Sequence, residues 1–137
     1  MGNTNYMKKF LQAKWADCDT DGQLKINNRA RSIQMAFSDG TGDPLVACNG
    51  FGADIIQFEG KKGVNTHTHV GDHILFVLSG TGIVEYFDEK HALRPGMCYF
   101  VPGDAPHAIR AHTNLVLIAV GNQHRPLESE DRLKIIN

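Results

Sequence analysis

Apolar residues in this chain recur in short segments that are separated by turn-forming residues. Residues 74–78 and 115–120 are apolar throughout, while Ile33, Met35 and Phe37 occupy alternate positions. Alternation is typical of a half-buried strand, and a short continuous apolar segment is typical of a strand covered on both faces. The pattern predicts strands at residues 33–37, 45–48, 54–59, 74–78, 83–87, 97–101 and 115–120, and another from His107. This spacing predicts an all-β sandwich or barrel.

The segments between and outside these strands have a different composition. Residues 38–44, rich in Gly and Asp and ending in Pro44, are predicted to form a turn. Residues 4–16 have a weak helical pattern and are interpreted as an arm that packs on the barrel or on a partner subunit. The chain is therefore interpreted as one domain, 1–137, with an N-terminal arm (1–32), a barrel core (about 45–121) and a C-terminal tail (122–137).

Two features predict a homodimer. Residues 115–120 present two apolar faces, and a single small barrel covers one of them. Tyr6, Phe10 and Trp15 in the arm also need cover. We expect an interface made of sheet faces and the N-terminal arm. The tail carries Leu127, Leu133, Ile135 and Ile136, and it either covers a barrel mouth or reaches across the dimer.

Composition narrows the classes of function. The 137 residues have a net charge of −1, which favours neither nucleic acid nor an anionic membrane as a partner. No apolar stretch approaches the ~18 residues of a transmembrane helix, and no signal peptide is recognisable. Cys18, Cys48 and Cys98 are odd in number and scattered, which predicts reduced, buried thiols in a cytoplasmic protein.

Residues 17–22 (Asp-Cys-Asp-Thr-Asp-Gly) resemble the start of an EF-hand calcium loop. Aspartates occupy its positions 1, 3 and 5, and Gly22 occupies position 6. Position 12, however, is Asn28 rather than the bidentate glutamate that such loops use. Asp, Thr and Gly also form tight turns, so we interpret this segment as a turn into a strand.

Five of the seven histidines lie between Gly60 and His107. His67 and His69 are two residues apart, so in a strand they project to the same face. Gly71 suits a bend that returns His73 toward them, and His107 follows a Pro-Gly loop before a later strand. Neutral imidazole is a frequent ligand of zinc, copper, iron and nickel. The spacing predicts a metal site formed by His67, His69, His73 and His107.

These residues resemble the two motifs of the cupin superfamily. The first motif is matched by His67-x-His69, then His73 after three residues and Gly80 after six more. The second is matched by Gly96, five residues, then Pro102, Gly103 and His107. The resemblance covers roughly residues 52–121 and implies a double-stranded β-helix, the jelly-roll barrel, with an N-terminal arm. The family's spacing is not matched at Gly60 or Gly63, nor by the adjacent Pro102 and Gly103, and Ala111 replaces its closing asparagine.

The main departure is His73, which stands where the family usually has glutamate. Cupins with three and with four histidines are both known, so His73 is interpreted either as a fourth ligand or as a neighbour of a three-histidine site. Four neutral imidazoles leave a divalent ion its full charge and favour a transition metal over magnesium or calcium. We expect one divalent ion per chain, with iron, manganese, nickel, copper and zinc all open.

The remaining residues suggest what such an ion would act on. The inner face is expected to carry Leu75, Val77 and Ile109, with Phe58 and Phe100, while Gln57, Glu85, Tyr86 and Cys98 are polar groups that could enter it. No Arg or Lys is expected inside, so a small, largely uncharged or chelating organic substrate is preferred. His112 is expected to point away from the site, and His91 and His124 to face solvent.

Three functions are consistent with these residues. The first is a metal-dependent dioxygenase or other oxygenase, which the resemblance to all-histidine cupins implies. The second is a non-redox isomerase, lyase or cyclase, in which Glu85 or Tyr86 is the candidate catalytic base. The third is a cupin that binds a ligand without turnover.

Overall fold

The structure, a computed structural model, describes residues 8–27 and 33–137. These residues form strands, turns and loops, without a helix. The strands are β1 (Ala16–Cys18), β2 (Leu24–Ile26), β3 (Ile33–Gln34), β4 (Thr41–Cys48), β5 (Phe51–Phe58), β6 (Gly63–Thr68), β7 (His73–Ser79), β8 (Gly82–Tyr86), β9 (Glu89–Leu93), β10 (Cys98–Val101), β11 (His107–Ala111), β12 (Leu115–Gly121) and β13 (Lys134–Ile135).

Two antiparallel sheets enclose the core. The larger has six strands in the order β10-β7-β12-β5-β4-β3, and the smaller has five in the order β13-β6-β11-β8-β9. Strands β1 and β2 form a separate hairpin. Residues from both sheets share one apolar cluster, so the sheets pack face to face. The predicted all-β jelly roll is confirmed.

Strand β12 lies in the centre of the six-stranded sheet, between β7 and β5. Leu115 and Leu117 are 0% exposed and Ala119 is 4% exposed, which places this face in the core. Burying each leucine contributes about 1.5–3 kcal/mol. The alternate residues Ile118 and Val120 lie on the outer face and stay half-buried. The two-faced apolar pattern of residues 115–120 is therefore real, but one chain covers only its inner side fully.

The N-terminal third differs from the prediction in detail. The strand expected at 33–37 ends at Gln34, and Phe37 lies in the following turn with 55% of its surface exposed. The turn expected at 38–44 is shorter, because β4 already begins at Thr41. Pro44 is accommodated by a register shift between Pro44 and Val46, since proline cannot donate to the ladder. The weak helical pattern does not yield a helix from residue 8 onward, and Tyr6 lies outside the described residues.

The acidic segment is a hairpin turn. The Asp19 carboxylate accepts hydrogen bonds from the backbone N–H groups of Asp21 and Gln23, each 2.9 Å long. Asp17 forms an ion pair with Lys14 at 2.7 Å. Backbone donors thus occupy the carboxylate oxygen that a cation would need, as expected for a turn. Asn28 lies outside the described residues.

The tail returns to its own chain. Strand β13 pairs with β6 at the edge of the five-stranded sheet, and Leu127 and Leu133 are buried in the core. The thiols differ from expectation: all three cysteines are unpaired, but Cys18 and Cys98 are exposed rather than buried. Among residues 8–27 and 33–137, no helix is long and apolar enough to cross a membrane.

Candidate metal centre

His67 and His107 are neighbours across the ladder of the five-stranded sheet. His67 on β6 pairs directly with His107 on β11. The ladder shifts register between His107 and Ile109, so that Ile109 pairs with Val64. The bulge lets both Val64 and His67 face the interior although they are three residues apart. The two histidines are 4% and 3% exposed.

His69 is held by two glycine-containing turns. Its backbone N–H donates to the Gly103 carbonyl over 2.7 Å, which joins the end of β6 to the loop before His107. Gly103 approaches so closely that a Cβ there would collide with the backbone of Gly71 and His69. Gly71 itself has φ +77°, a conformation that favours glycine. The predicted bend at Gly71 is therefore present. The lack of a side chain at Gly103 allows the Pro102-Gly103 loop to pack directly on the backbone of His69 and Gly71.

Three of the histidines carry their hydrogen on the same ring position, Nδ1. The Nδ1 atoms of His67, His69 and His107 lie 2.8, 3.0 and 2.7 Å from the carbonyl oxygens of Asn65, Gly71 and Ala105. A carbonyl can only accept, so each Nδ1 carries the hydrogen. Each Nε2 consequently has a free lone pair directed away from its backbone partner. Backbone support of this kind is what orients metal-binding histidines in proteins.

The ring nitrogens of these three histidines lie close together. One ring nitrogen from each of His67, His69 and His107 lies within 4.8 Å of the others, and the two Nε2 atoms of His69 and His107 are 3.1 Å apart. Two acceptors at that distance repel unless a cation lies between them. Nitrogens bound to one ion at about 2.0–2.1 Å are roughly 2.9–3.4 Å apart. The residues present therefore fit a transition-metal ion.

His73 joins this group from the other sheet. It begins β7, and its Nδ1 lies 3.3 Å from His69 Nε2. It is not part of the group whose nitrogens lie within 4.8 Å of one another. The contact suits either a fourth ligand or a hydrogen bond to His69, so both interpretations of His73 stay predictions.

The imidazoles are neutral at ordinary pH. Burial lowers the pKa of His67 to about 3, that of His69 to about 4 and that of His73 to about 3, and neighbouring histidines add to each shift. Burial also lowers the pKa of His107. Metal binding requires unprotonated imidazole, so no proton has to be removed at neutral pH.

We expect the metal-free protein to lose stability as pH falls. The unfolded chain takes up protons near pH 6.5, whereas folded His67 does so only near pH 3, so protons favour the unfolded state between these values. One such histidine costs about 1.4 kcal/mol per pH unit in this window. Urea unfolding at pH 7, 6 and 5 should show a smaller loss for His67→Gln than for wild type. The variant His91→Gln, at an exposed histidine, should match wild type; a pH-independent wild type would contradict the prediction.

A cavity of about 50 Å³ adjoins the histidines. Its walls are mostly apolar side chains of both sheets, including Phe58, Leu75 and Ile109. Two polar residues also line it, Tyr99 from β10 and Arg132 from the tail. The expectation that no arginine enters the interior is therefore wrong. Phe100 and Cys98, expected as possible inner residues, are exposed because Tyr99 and Val101 hold the inward positions of β10.

Arg132 is anchored by an aspartate that sequence reasoning did not select. Its Nη1 donates to Asp54 Oδ2 over 2.9 Å and to the Arg125 carbonyl over 2.8 Å. Asp54 is 1% exposed, and burial raises its pKa although Arg132 opposes that shift. His124 Nε2 lies 3.6 Å from the same carboxylate, so His124 is not solvent-facing as expected. A charged residue beside the apolar pair Ile55 and Ile56 of this strand was the signal that a buried partner exists.

The two candidate catalytic residues are absent from the lining of this cavity. Tyr86 pairs with His107 across the ladder and packs on the core, but its hydroxyl does not line the cavity. Glu85 lies on the opposite face of β8 from Val84 and borders a separate surface groove. His112 and His91 are exposed, as expected.

Comparison with known proteins identifies the fold. Residues 55–121 match the family model described as a cupin domain. No curated protein matches the sequence. An RmlC-like cupin from Shewanella frigidimarina is 21% identical with a TM-score of 0.63, covering 69% of this chain and 86% of that one. KdgF from a Halomonas species is 22% identical with a TM-score of 0.60, covering 64% and 81%.

A larger enzyme contains a similar domain. Salicylate 1,2-dioxygenase from Pseudoaminobacter salicylatoxidans, solved as adducts with gentisate, is 18% identical with a TM-score of 0.60. The match covers 65% of this chain and 26% of that one. At such identities the likeness concerns the fold alone.

Proposed function

This chain is a small member of the cupin superfamily, and from that premise we propose that it is a metal-dependent enzyme acting on a small organic molecule. The observation that carries the proposal is the grouping of three neutral imidazole nitrogens within 4.8 Å of one another beside a mostly apolar cavity. His67, His69 and His107 would hold the ion, with His73 as the candidate fourth ligand. When bound, a divalent transition ion would supply Lewis acidity, and a redox-active one would also supply electron transfer.

The side chains around the site define what the protein itself contributes. Mostly apolar walls lower the local polarity and so strengthen polar contacts inside the cavity. The backbone carbonyls of Asn65, Gly71 and Ala105 keep the imidazoles in one tautomer and orientation. A chelating substrate would enter beside these nitrogens.

We propose oxygenation, most simply by a dioxygenase, ahead of isomerisation or elimination. The second class needs a proton acceptor whose pKa is near neutrality. Among the described residues that line the cavity, burial lowers the histidine pKa values and raises the pKa of Tyr99, and Arg132 cannot act as a base. Glu85 and Tyr86 do not line the cavity.

Turnover with and without oxygen tests the proposal. Iron-loaded and zinc-loaded protein would be screened against small hydroxy acids, keto acids and phenols, with oxygen uptake and substrate loss both followed. We expect oxygen-dependent loss of a substrate with iron only. Full activity of the zinc form without oxygen would replace the oxygenase with the isomerase, lyase or cyclase. Tight binding of a screened compound without any turnover would instead support the third function, a cupin that binds a ligand without converting it.

We propose a reducing compartment, the cytoplasm, for this protein. Cys18, Cys48 and Cys98 are all unpaired, and two of them are exposed. Exposed thiols persist where cellular reductants keep them reduced. Fractionation of the native host would test the location, and recovery outside the cytoplasm would contradict it.

We also propose that the outer face of the six-stranded sheet forms a homodimer. Ile74, Phe76 and Phe100 are 42%, 44% and 61% exposed there. Phe76 pairs with Ile118 in the ladder, and Ile74 pairs with both Phe100 and Val120, so these side chains form one continuous patch. Patches of this kind mark association surfaces.

Phe76→Asp should convert the dimer to a monomer, because a charge in the apolar interface is costly to desolvate. Sedimentation analysis at micromolar concentration should show about half the wild-type mass. Phe87→Asp is the matched control, since Phe87 is 62% exposed in the turn between β8 and β9. A monomeric wild type, or a dimeric Phe76→Asp, would contradict the proposal.

A further inference from the structure

One hydroxyl group in the cavity beside the histidines forms no hydrogen bond within the described residues. Tyr99 lines the cavity beside the histidines, and its hydroxyl oxygen is buried although the residue as a whole is only half-buried. Within the described part of the chain, this hydroxyl has no hydrogen-bond partner. Most buried hydroxyls in folded proteins do have one. Burial also raises the pKa of Tyr99, which keeps the group a hydrogen-bond donor.

Arg132 lines the same cavity, and some of its N–H donors form no hydrogen bond within the described residues. Both contacts of its guanidinium, to Asp54 and to the Arg125 carbonyl, use Nη1. Across residues 8–27 and 33–137, its Nε and Nη2 form no hydrogen bond or ion pair. The residue is 7% exposed, so bulk water hardly screens this charge. A guanidinium stays protonated and binds carboxylates well.

The charges in and around the cavity favour an anion. The four imidazoles are neutral, and the Arg132 and Asp54 charges roughly cancel. A divalent ion would therefore leave the cavity with a net positive charge. The cavity volume of about 50 Å³ is only a few times the roughly 10–15 Å³ that one water needs, so the cavity has room for a few light atoms besides an ion.

We propose that this cavity selects a compact organic anion. A carboxylate or enolate oxygen of that anion accepts a hydrogen bond from the Tyr99 hydroxyl and faces the Arg132 guanidinium. The inference rests on the proposed function, because the anion's other oxygen is placed at the histidine-bound ion. It narrows the substrate from a largely uncharged molecule to a small acid, such as a hydroxy or keto acid.

Binding to cobalt-loaded protein tests the assignment without any turnover. Glycolate and its neutral amide, glycolamide, have similar size and differ in charge, and the visible spectrum of bound cobalt follows their binding. Tyr99→Phe removes only the hydroxyl, and we expect it to weaken glycolate binding about tenfold and glycolamide binding less, since charge-assisted hydrogen bonds are the stronger. Arg132→Gln should reduce the preference for glycolate further. Thr113→Val, which removes an exposed hydroxyl outside the cavity, should match wild type.

A separate measurement of cobalt content distinguishes failure of the proposed metal-dependent function from failure of the proposed anion selectivity. Wild-type protein that does not retain cobalt or any other transition ion would overturn the proposed function and this inference with it. Protein that retains cobalt but binds glycolate equally well with and without the Tyr99 hydroxyl would overturn the inference alone. If Arg132→Gln does not fold, the comparison between Tyr99→Phe and wild type decides.

Discussion

Replacing His69 with alanine is expected to remove most of the bound metal from this protein. His69 has the central position, because its Nε2 lies 3.1 Å from His107 Nε2 and 3.3 Å from His73 Nδ1. Loss of a supporting group alone usually lowers metal affinity about 10–100-fold, so loss of a ligand nitrogen should cost at least the upper end of that range. Elemental analysis after dialysis against a weak chelator would measure the effect.

His112→Ala is the matched control, since His112 is exposed and lies outside the cavity lining. It should retain the metal content of wild type. Equal metal in the His69→Ala and His112→Ala variants would show that the site is wrongly assigned. His73→Ala adds a graded comparison: a loss equal to that of His69→Ala identifies a fourth ligand, and a smaller loss identifies a neighbour of a three-histidine site.

Arg132→Met should lower the free energy of unfolding by about 3–5 kcal/mol, the usual cost of leaving a buried charge without its partner. Asp54 is 1% exposed, and its Oδ1 lacks a partner within the described residues even in the wild type. Without Arg132, the group left to pair with this carboxylate is His124, whose Nε2 lies 3.6 Å from Asp54 Oδ2 and is charged only when the imidazole is protonated. Urea unfolding monitored by fluorescence would measure the change.

A double variant separates lost charge pairing from lost packing. Asp54→Leu combined with Arg132→Met replaces the whole pair with apolar side chains, and it should recover much of the stability lost in Arg132→Met. Arg94→Met is the control, because Arg94 is exposed. An Arg132→Met variant as stable as Arg94→Met would contradict the role of the buried pair.

The sequence by itself determined the fold class and the candidate metal-binding histidines. Strand periodicity is local, so the short apolar segments predicted β7, β8, β10 and β12 within a few residues. The His67-x-His69 spacing, the bend at Gly71 and the Pro102-Gly103 loop were likewise readable, because each depends on backbone conformation over a few neighbouring residues. The structure brings His67, His69 and His107 together as these patterns predicted.

The tertiary structure alone decided which other groups reach the cavity. Arg132 is 78 residues from Asp54 in sequence, and only the return of the tail to β6 brings the two together. The bulge opposite His107 decides which residues of β6 face inward, since one extra residue reverses the alternation of faces. The pairing of β10 with β7 and of β8 with β11 likewise decides which residues of these strands face inward. As a result, Tyr99 rather than Phe100 faces the cavity, and Glu85 faces outward. Composition does not contain that information, because long-range pairing depends on contacts that no local segment specifies.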